Sequence, residues 1–153
     1  MKTVVFDIDG TLSDSRARDH HARNRDWDAF HAHIMEDPPH EDAATLVRWL
    51  SLRDDIELIG CTGRNEKYRK HTDTWLRQHK IPLEYVLMRP EFDFRHDTEV
   101  KPELLKDWHR ATMPATNMRA QDRVAFILDD RDKMVEAWRE HGFNCWQVRL
   151  GGY

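Results

Sequence analysis

The chain has 153 residues, of which 39% are apolar and 34% charged, and its formal net charge is -4. That length holds one hydrophobic core and is short for two, so residues 1–153 are expected to form a single domain. The acidic balance excludes a surface that is basic all over, as a protein coating nucleic acid would present.

The N-terminus offers Val4, Val5 and Phe6 before Asp7 interrupts, too short an apolar stretch for a signal peptide, and no later run approaches a membrane span. Cys61 and Cys145 lie far apart in apolar segments and read as buried thiols rather than a disulfide framework, so a reducing, cytoplasmic setting is expected. No G-x-x-x-x-G-K-[ST] phosphate loop and no fixed-period repeat occurs.

In chain order, the first apolar run is Thr3 to Ile8, a strand that closes on Asp7-Ile8-Asp9-Gly10-Thr11. Leu12 to His40 shows no clear period and ends in Pro38-Pro39, which predicts irregular structure over the upper edge of a sheet, with a partly helical course as the alternative. Ala43, Leu46, Val47 and Leu50 then fall at helical spacing. The run Ile56 to Cys61 predicts a second strand, followed by Thr62-Gly63-Arg64, and Leu83 to Met88 a third. Arg89 to Asp122 is a long connection with Pro90, the segment Asp97 to Lys101, one short helix carrying Leu104, Leu105 and Trp108, and a loop around Pro114. Pro102 suits a first helical position, which would hold Lys101 at a helix start. The fourth run, Val124 to Leu128, closes on Asp129-Asp130. Met134, Val135 and Trp138 predict a helix stopped at Gly142, and Phe143 to Val148 is the fifth run.

Several of these runs are apolar almost throughout, as in strands covered on both faces. Strands alternating with helices predict an α/β fold, a three-layer doubly wound parallel sheet, with ligands bound beyond the strand C-terminal ends. A doubly wound order places the first and fourth strands side by side, so Asp7, Asp9, Asp129 and Asp130 would crowd one spot. A like-charge pair about 4 Å apart costs roughly 1 to 4 kcal/mol, so such a cluster needs a cation, and hard oxygen ligands favour Mg2+. A single aspartate at a strand end is more often a turn or helix cap; four in this arrangement point to phosphoryl transfer.

Residues 16–25 hold Arg16, Arg18, Arg23 and Arg25 against Asp19 alone, a local charge of +3 placed to meet a polyanion beside the site. Trp27, Phe30 and Trp75 are candidates for stacking a terminal base, although aromatics more often belong to the core. The ten histidines lack ligand spacing for zinc.

These motifs resemble the haloacid dehalogenase superfamily: Asp7-Ile8-Asp9-Gly10-Thr11 as its first motif, Thr62 its second, Lys101 its third and Asp129-Asp130 its fourth. Thr62-Gly63-Arg64, Thr74-Trp75-Leu76, Met88-Arg89, Arg95-x-Asp97-x-x-Val100-Lys101, Asp129-Asp130-Arg131 and the stretch from Trp138 to Val148 look more closely like the phosphatase domain of bacteriophage polynucleotide kinase-phosphatase. The resemblance implies strand order 5-4-1-2-3, a minimal or absent cap domain, and removal of the 3′-terminal phosphate from DNA or RNA ends. It implies Asp7 as nucleophile and Asp9 as general acid, with Thr62 and Lys101 as further catalytic residues. Thr11, Arg18, Gly63, Arg64 and Asp97 would bind substrate, and Asp7, Asp9, Asp129 and Asp130 would hold Mg2+. Arg16 or Arg23 could replace Arg18, since irregular segments shift register freely. Like-charge crowding would keep Asp9 protonated. A separate kinase or ligase acting on the same ends fits this reading. A small-molecule nucleotidase and a non-catalytic end-binding module stay open as alternatives.

Overall fold

The computed structural model describes residues 1–151. Strands β1 (Lys2–Phe6), β2 (Ile56–Asn65), β3 (Tyr85–Arg89), β4 (Val124–Asp129) and β5 (Cys145–Gln147) form one sheet in the order β3-β2-β1-β4-β5, every pair parallel. This is the expected order, 5-4-1-2-3, counted from the opposite edge. The chain leaves β1 towards one edge and returns at β4 on its other side, so the crevice of the doubly wound fold lies beyond the ends of β1 and β4.

Alternation along β1 sorts the core into two layers. Val5 packs in one cluster with Ile59, Ile127, Leu105, Trp108, Met134 and Trp138. Val4 and Phe6 face the other, with Leu58, Leu128, Val47, Trp75 and Leu76. Helices α5 (Asp97–Thr112) and α7 (Asp132–Glu140) therefore cover one face, and α3 (Glu41–Leu50) and α4 (Arg69–Gln78) the other. Burial on both faces explains why the strands read as unbroken apolar runs. Cys61 and Cys145 are buried, unpaired thiols, and burial pushes the Cys145 thiol up to about 12. No helix of the described residues is long and apolar enough to cross a membrane.

Four features differ from the sequence-based expectation. Leu12 to His40 is not irregular throughout: it contains α1 (Asp19–Arg23), α2 (Trp27–Ala32) and a 3-10 turn at Ile34–Glu36. Asp26 caps α2 by accepting from the Ala29 amide at 3.1 Å, but helices of five and six residues are too short to show a period. Helix α4 was missed because its apolar face within RKHTDTWLRQ reduces to Thr72, Trp75 and Leu76. Helix α5 spans sixteen residues and starts at Asp97, which places Pro102 inside it and Lys101 in its second turn. The ring there removes one backbone donor that Thr98 would otherwise receive. Finally, β2 runs through Thr62-Gly63-Arg64 to Asn65, with a break in its register against β3. A short helix α6 (Ala120–Arg123) leads into β4.

After β1 the chain turns sharply. The Ile8 carbonyl accepts from the amides of Thr11, Leu12 and Ser13, and the Gly10 amide donates to the Ser13 carbonyl at 2.8 Å. Gly10 has φ +87°, and a Cβ there would lie 2.3 Å from Asp130 Oδ2. Gly10→Ala is expected to cost about 1–3 kcal/mol from backbone strain, before any displacement of Asp130. Urea unfolding measures it, and an unchanged midpoint would show that this turn relaxes freely.

Candidate active site

Asp7 follows β1 directly, and its amide donates to the Leu128 carbonyl at 2.9 Å, which continues the ladder and sets Asp7 beside Asp129 at the end of β4. One carboxylate oxygen from each of Asp7, Asp129 and Asp130 lies within 4.8 Å of the others. Lys101 reaches this trio from α5, donating to Asp7 Oδ1 at 2.6 Å and to Asp129 Oδ2 at 3.1 Å. Asp129 also accepts from Trp138 Nε1 at 3.2 Å and from the Arg131 amide at 3.2 Å. The Thr11 hydroxyl spans the remaining gap, 3.5 Å from Asp7 Oδ2 and 3.4 Å from Asp130 Oδ1.

Asp7, Asp129, Asp130, Lys101, Thr11 and Trp138 are buried, and one lysine faces three carboxylates. Burial raises Asp7 well above the usual carboxylate range; Lys101 opposes this, while Asp129 and Asp130 reinforce it. Burial and Asp129 push Asp130 up to about 6. Burial lowers the proton affinity of Lys101, but Asp129 and Asp7 more than offset it and keep the ammonium charged. Negative charge in excess of the one lysine, offered by clustered oxygens, fits a hard divalent cation.

Asp9 stands apart from this trio. Arg64 grips it edge-on, Nε to Oδ2 and Nη2 to Oδ1, both at 2.8 Å, and Arg18 adds Nη2 to Oδ1 at 2.8 Å. Burial pushes the Asp9 carboxyl upward, but Arg64 and then Arg18 hold it far below the usual carboxylate range. The expected like-charge crowding thus falls on Asp7 and Asp130, while Asp9 is flanked by cations. Its carboxylate is engaged by guanidiniums, so of the four aspartates expected to hold a metal the structure gathers the carboxylates of Asp7, Asp129 and Asp130.

Of the arginines after β1, Arg18 is the one seen to enter the site. It is buried against Asp9, Asp37 and the Phe30 ring, whereas Arg16 lies exposed on Asp14. The +3 stretch therefore does not present Arg18 to a polyanion, because that charge is neutralised inside. Among the aromatics, Phe30 and Trp75 belong to the interior, and Trp27 keeps 48% exposure.

The Thr62 hydroxyl accepts from the Arg64 amide at 3.2 Å, and a Cβ on Gly63 would lie 2.4 Å from Asp97 Oδ1. Asp97 opens α5 and pairs with Arg89 through one oxygen and Arg131 through the other. Burial opposes its charge, but Arg131, Lys101 and Arg89 hold it below the usual range. Arg89 also donates to the Gly63 carbonyl at 3.0 Å. Asp97 thus anchors two guanidiniums at the rim. Arg89, Arg131 and Asp37 were missed as site residues. Arg89 and Arg131 sit just past apolar runs at the ligand-bearing edge, a signal that could have found them; Asp37 carries none.

The family model for the polynucleotide kinase PNKP phosphatase domain matches residues 1–153. A protein of Autographa californica nuclear polyhedrosis virus, named as a bifunctional polynucleotide kinase/RNA ligase, is 24% identical over 140 residues, covering 91% of this chain and 18% of its own length. A chain in a structure titled as the Pnkp1/Rnl/Hen1 RNA repair complex aligns with TM-score 0.79 and 28% identity, covering 99% of this chain and 43% of that one. This chain therefore spans less than half of either relative. A haloacid dehalogenase-like hydrolase from Streptococcus pneumoniae shares the fold at TM-score 0.69 and 13% identity, covering 96% of this chain and 84% of that one. With a match along its whole length and a sheet of the haloacid dehalogenase type, the chain belongs to the polynucleotide kinase PNKP phosphatase domain family.

Proposed function

We propose that the chain is a magnesium-dependent polynucleotide 3′-phosphatase that removes the terminal 3′-phosphate from DNA or RNA ends through an aspartyl-phosphate on Asp7. The observation that carries this reading is the division of the buried carboxylates into two settings. Asp7 lies with Asp129, Asp130 and Lys101, and Asp9, two residues on, is held by Arg64 and Arg18. The nucleophile must be ionised and the acid protonated, so a cation bound beside Asp7 and a phosphate drawing Arg64 from Asp9 would set the two states, and one short turn separates the two carboxyls.

Lys101 occupies Asp7 Oδ1 at 2.6 Å, while Oδ2 is met by the long Thr11 contact, which favours Oδ2 as the attacking oxygen. It bonds to phosphorus as the bond to the substrate's 3′-oxygen breaks, and Asp9 donates its proton to that oxygen. The arriving phosphate competes for Arg64 and so raises the proton affinity of Asp9. In the second step Asp9 takes a proton from water, the water oxygen attacks phosphorus, and phosphate leaves with Asp7 regenerated. Thr11, Thr62, Gly63 and Arg64 would line the phosphate, and Asp97 would act through Arg89 and Arg131. Asp7, Asp129 and Asp130 would hold Mg2+, which when bound would neutralise charge on the phosphoryl oxygens.

The single-domain organisation, the cytoplasmic setting inferred from the two buried thiols, and a kinase or ligase acting on the same ends belong to this proposal. The last draws support from the names carried by the viral relative and the repair complex.

The substrate test is a parallel assay of a 3′-phosphorylated oligonucleotide, its 5′-phosphorylated isomer and a nucleoside 3′-monophosphate, with the first expected to be turned over most efficiently. Equal efficiency on the mononucleotide would favour a nucleotidase. Asp7→Asn should lower turnover by at least about a hundredfold with unchanged circular dichroism, because an amide cannot form the acyl-phosphate. A tenth of the wild-type rate would place the nucleophile elsewhere.

Mg2+ should also stabilise the protein without substrate, by about 2.7 kcal/mol at a hundredfold excess over Kd. Below about pH 6 Asp130 keeps its proton and the ion must displace it, so the thermal shift should grow between pH 5 and pH 8. A shift independent of pH would argue against these carboxylates as the ligands.

A further inference from the structure

The guanidinium of Arg18 is divided between two carboxylates. Nε donates to Asp37 Oδ1 at 2.8 Å, and Nη2 donates both to Asp37 Oδ2 and to Asp9 Oδ1, the latter at 2.8 Å. Nη1 is taken by the Phe30 carbonyl at 2.5 Å, and the group lies 4.2 Å over the Phe30 ring. The fork therefore meets Asp37 along one edge and touches Asp9 with a single N–H. Arg64 uses the edge-on grip on Asp9, so Asp9 Oδ1 accepts two guanidinium bonds and Oδ2 one.

Asp37 is fixed from two sides. Trp75 Nε1, from the buried face of α4, donates to the Asp37 carbonyl at 2.8 Å. The next residue, Pro38, accepts from the Asp14 amide at 2.8 Å, and Pro39 bridges to Ser13, so this segment is tied to the turn that carries Asp9.

A buried carboxylate beside a buried arginine neutralises it, and that alone would make Asp37 a stability residue. The geometry goes further. Without Asp37, Asp9 is the carboxylate still bonded to the Arg18 fork, and an edge-on grip there would compete with Arg64 and bring a second guanidinium to Oδ2.

We propose that Asp37 is a positioning residue for leaving-group protonation: by engaging the edge of Arg18 it confines that arginine to Asp9 Oδ1, so that Oδ2, bonded to Arg64 alone of the two arginines, can carry the proton passed to the 3′-oxygen once the substrate phosphate draws Arg64 away. This inference rests on the proposed role of Asp9 as the acid. Asp37 touches neither substrate nor reacting atoms and acts through Arg18.

The test compares two leaving groups. An alkoxide from an oligonucleotide 3′-phosphate needs a proton, whereas p-nitrophenolate does not. Asp37→Asn keeps size and one acceptor but removes the charge, and it should lower kcat on the oligonucleotide by at least about tenfold while p-nitrophenyl phosphate loses much less. KM should change little, and Asp37→Glu should restore most of the lost rate. Equal loss on both substrates, including loss through misfolding, would make Asp37 a structural neutraliser and overturn the proposal, as would no loss on either. Asp9→Asn, assayed alongside, separates the two ideas. If it shows the leaving-group split and Asp37→Asn does not, Asp9 stands as the acid and the role of Asp37 falls. If Asp9→Asn shows no split, the acid assignment itself fails.

Discussion

Burying like charges together is the constraint around which this molecule is organised. Asp7, Asp129 and Asp130 cannot all remain ionised at close range in a dry crevice unless positive charge is brought to them. Lys101 supplies one unit from inside α5, where Asp7 and Asp129 both accept its protons. Much of the surrounding architecture serves that contact. Trp138 lies fully buried in the core yet donates to Asp129, so packing of α7 and orientation of the carboxylate are one event.

A second rule follows from the first: cation identity sorts the acids. A lysine is a point charge and can sit between two carboxylates, whereas an arginine presents a planar fork that fixes the carboxylate it grips. Asp9 and Asp97 are met by arginines, and both are held well below the ordinary carboxylate range. Asp7 and Asp130, without a fork of their own, are pushed upward. Aspartates a few residues apart in sequence thereby acquire opposite proton affinities.

Much of this was legible in the sequence, and the reasons are specific. The five strands read as apolar runs because both faces of the sheet are covered, and the position of Asp7 beside Asp129 followed once the sheet was taken as doubly wound. What escaped notice depended on long-range contacts. The Arg64 grip on Asp9 joins residues 55 apart, so the aspartate expected to be crowded by anions is surrounded by cations. Arg18 stood in a basic stretch read as meeting a polyanion, and its contacts with Asp9, Asp37 and Phe30 show that it turns inward. Helix α4 was illegible because Thr72 takes a place in its buried stripe that pattern reading reserves for an apolar residue.

The spacing of these contacts along the chain bears on how the site comes into being. Lys101 and Asp7 are 94 residues apart, and Thr11 and Asp130 are 119 apart. Strand β1 must stay unpaired on one side until β4 has been synthesised, because β4 is its neighbour in the finished sheet. No stretch of this sequence ending before Asp130 contains the three clustered carboxylates, so Asp7 gains its neighbours only after the residues up to β4 and Asp130 have been made. Contacts so distant make folding slow relative to helical proteins of similar size, and they make the carboxylate cluster depend on the pairing of β1 with β4.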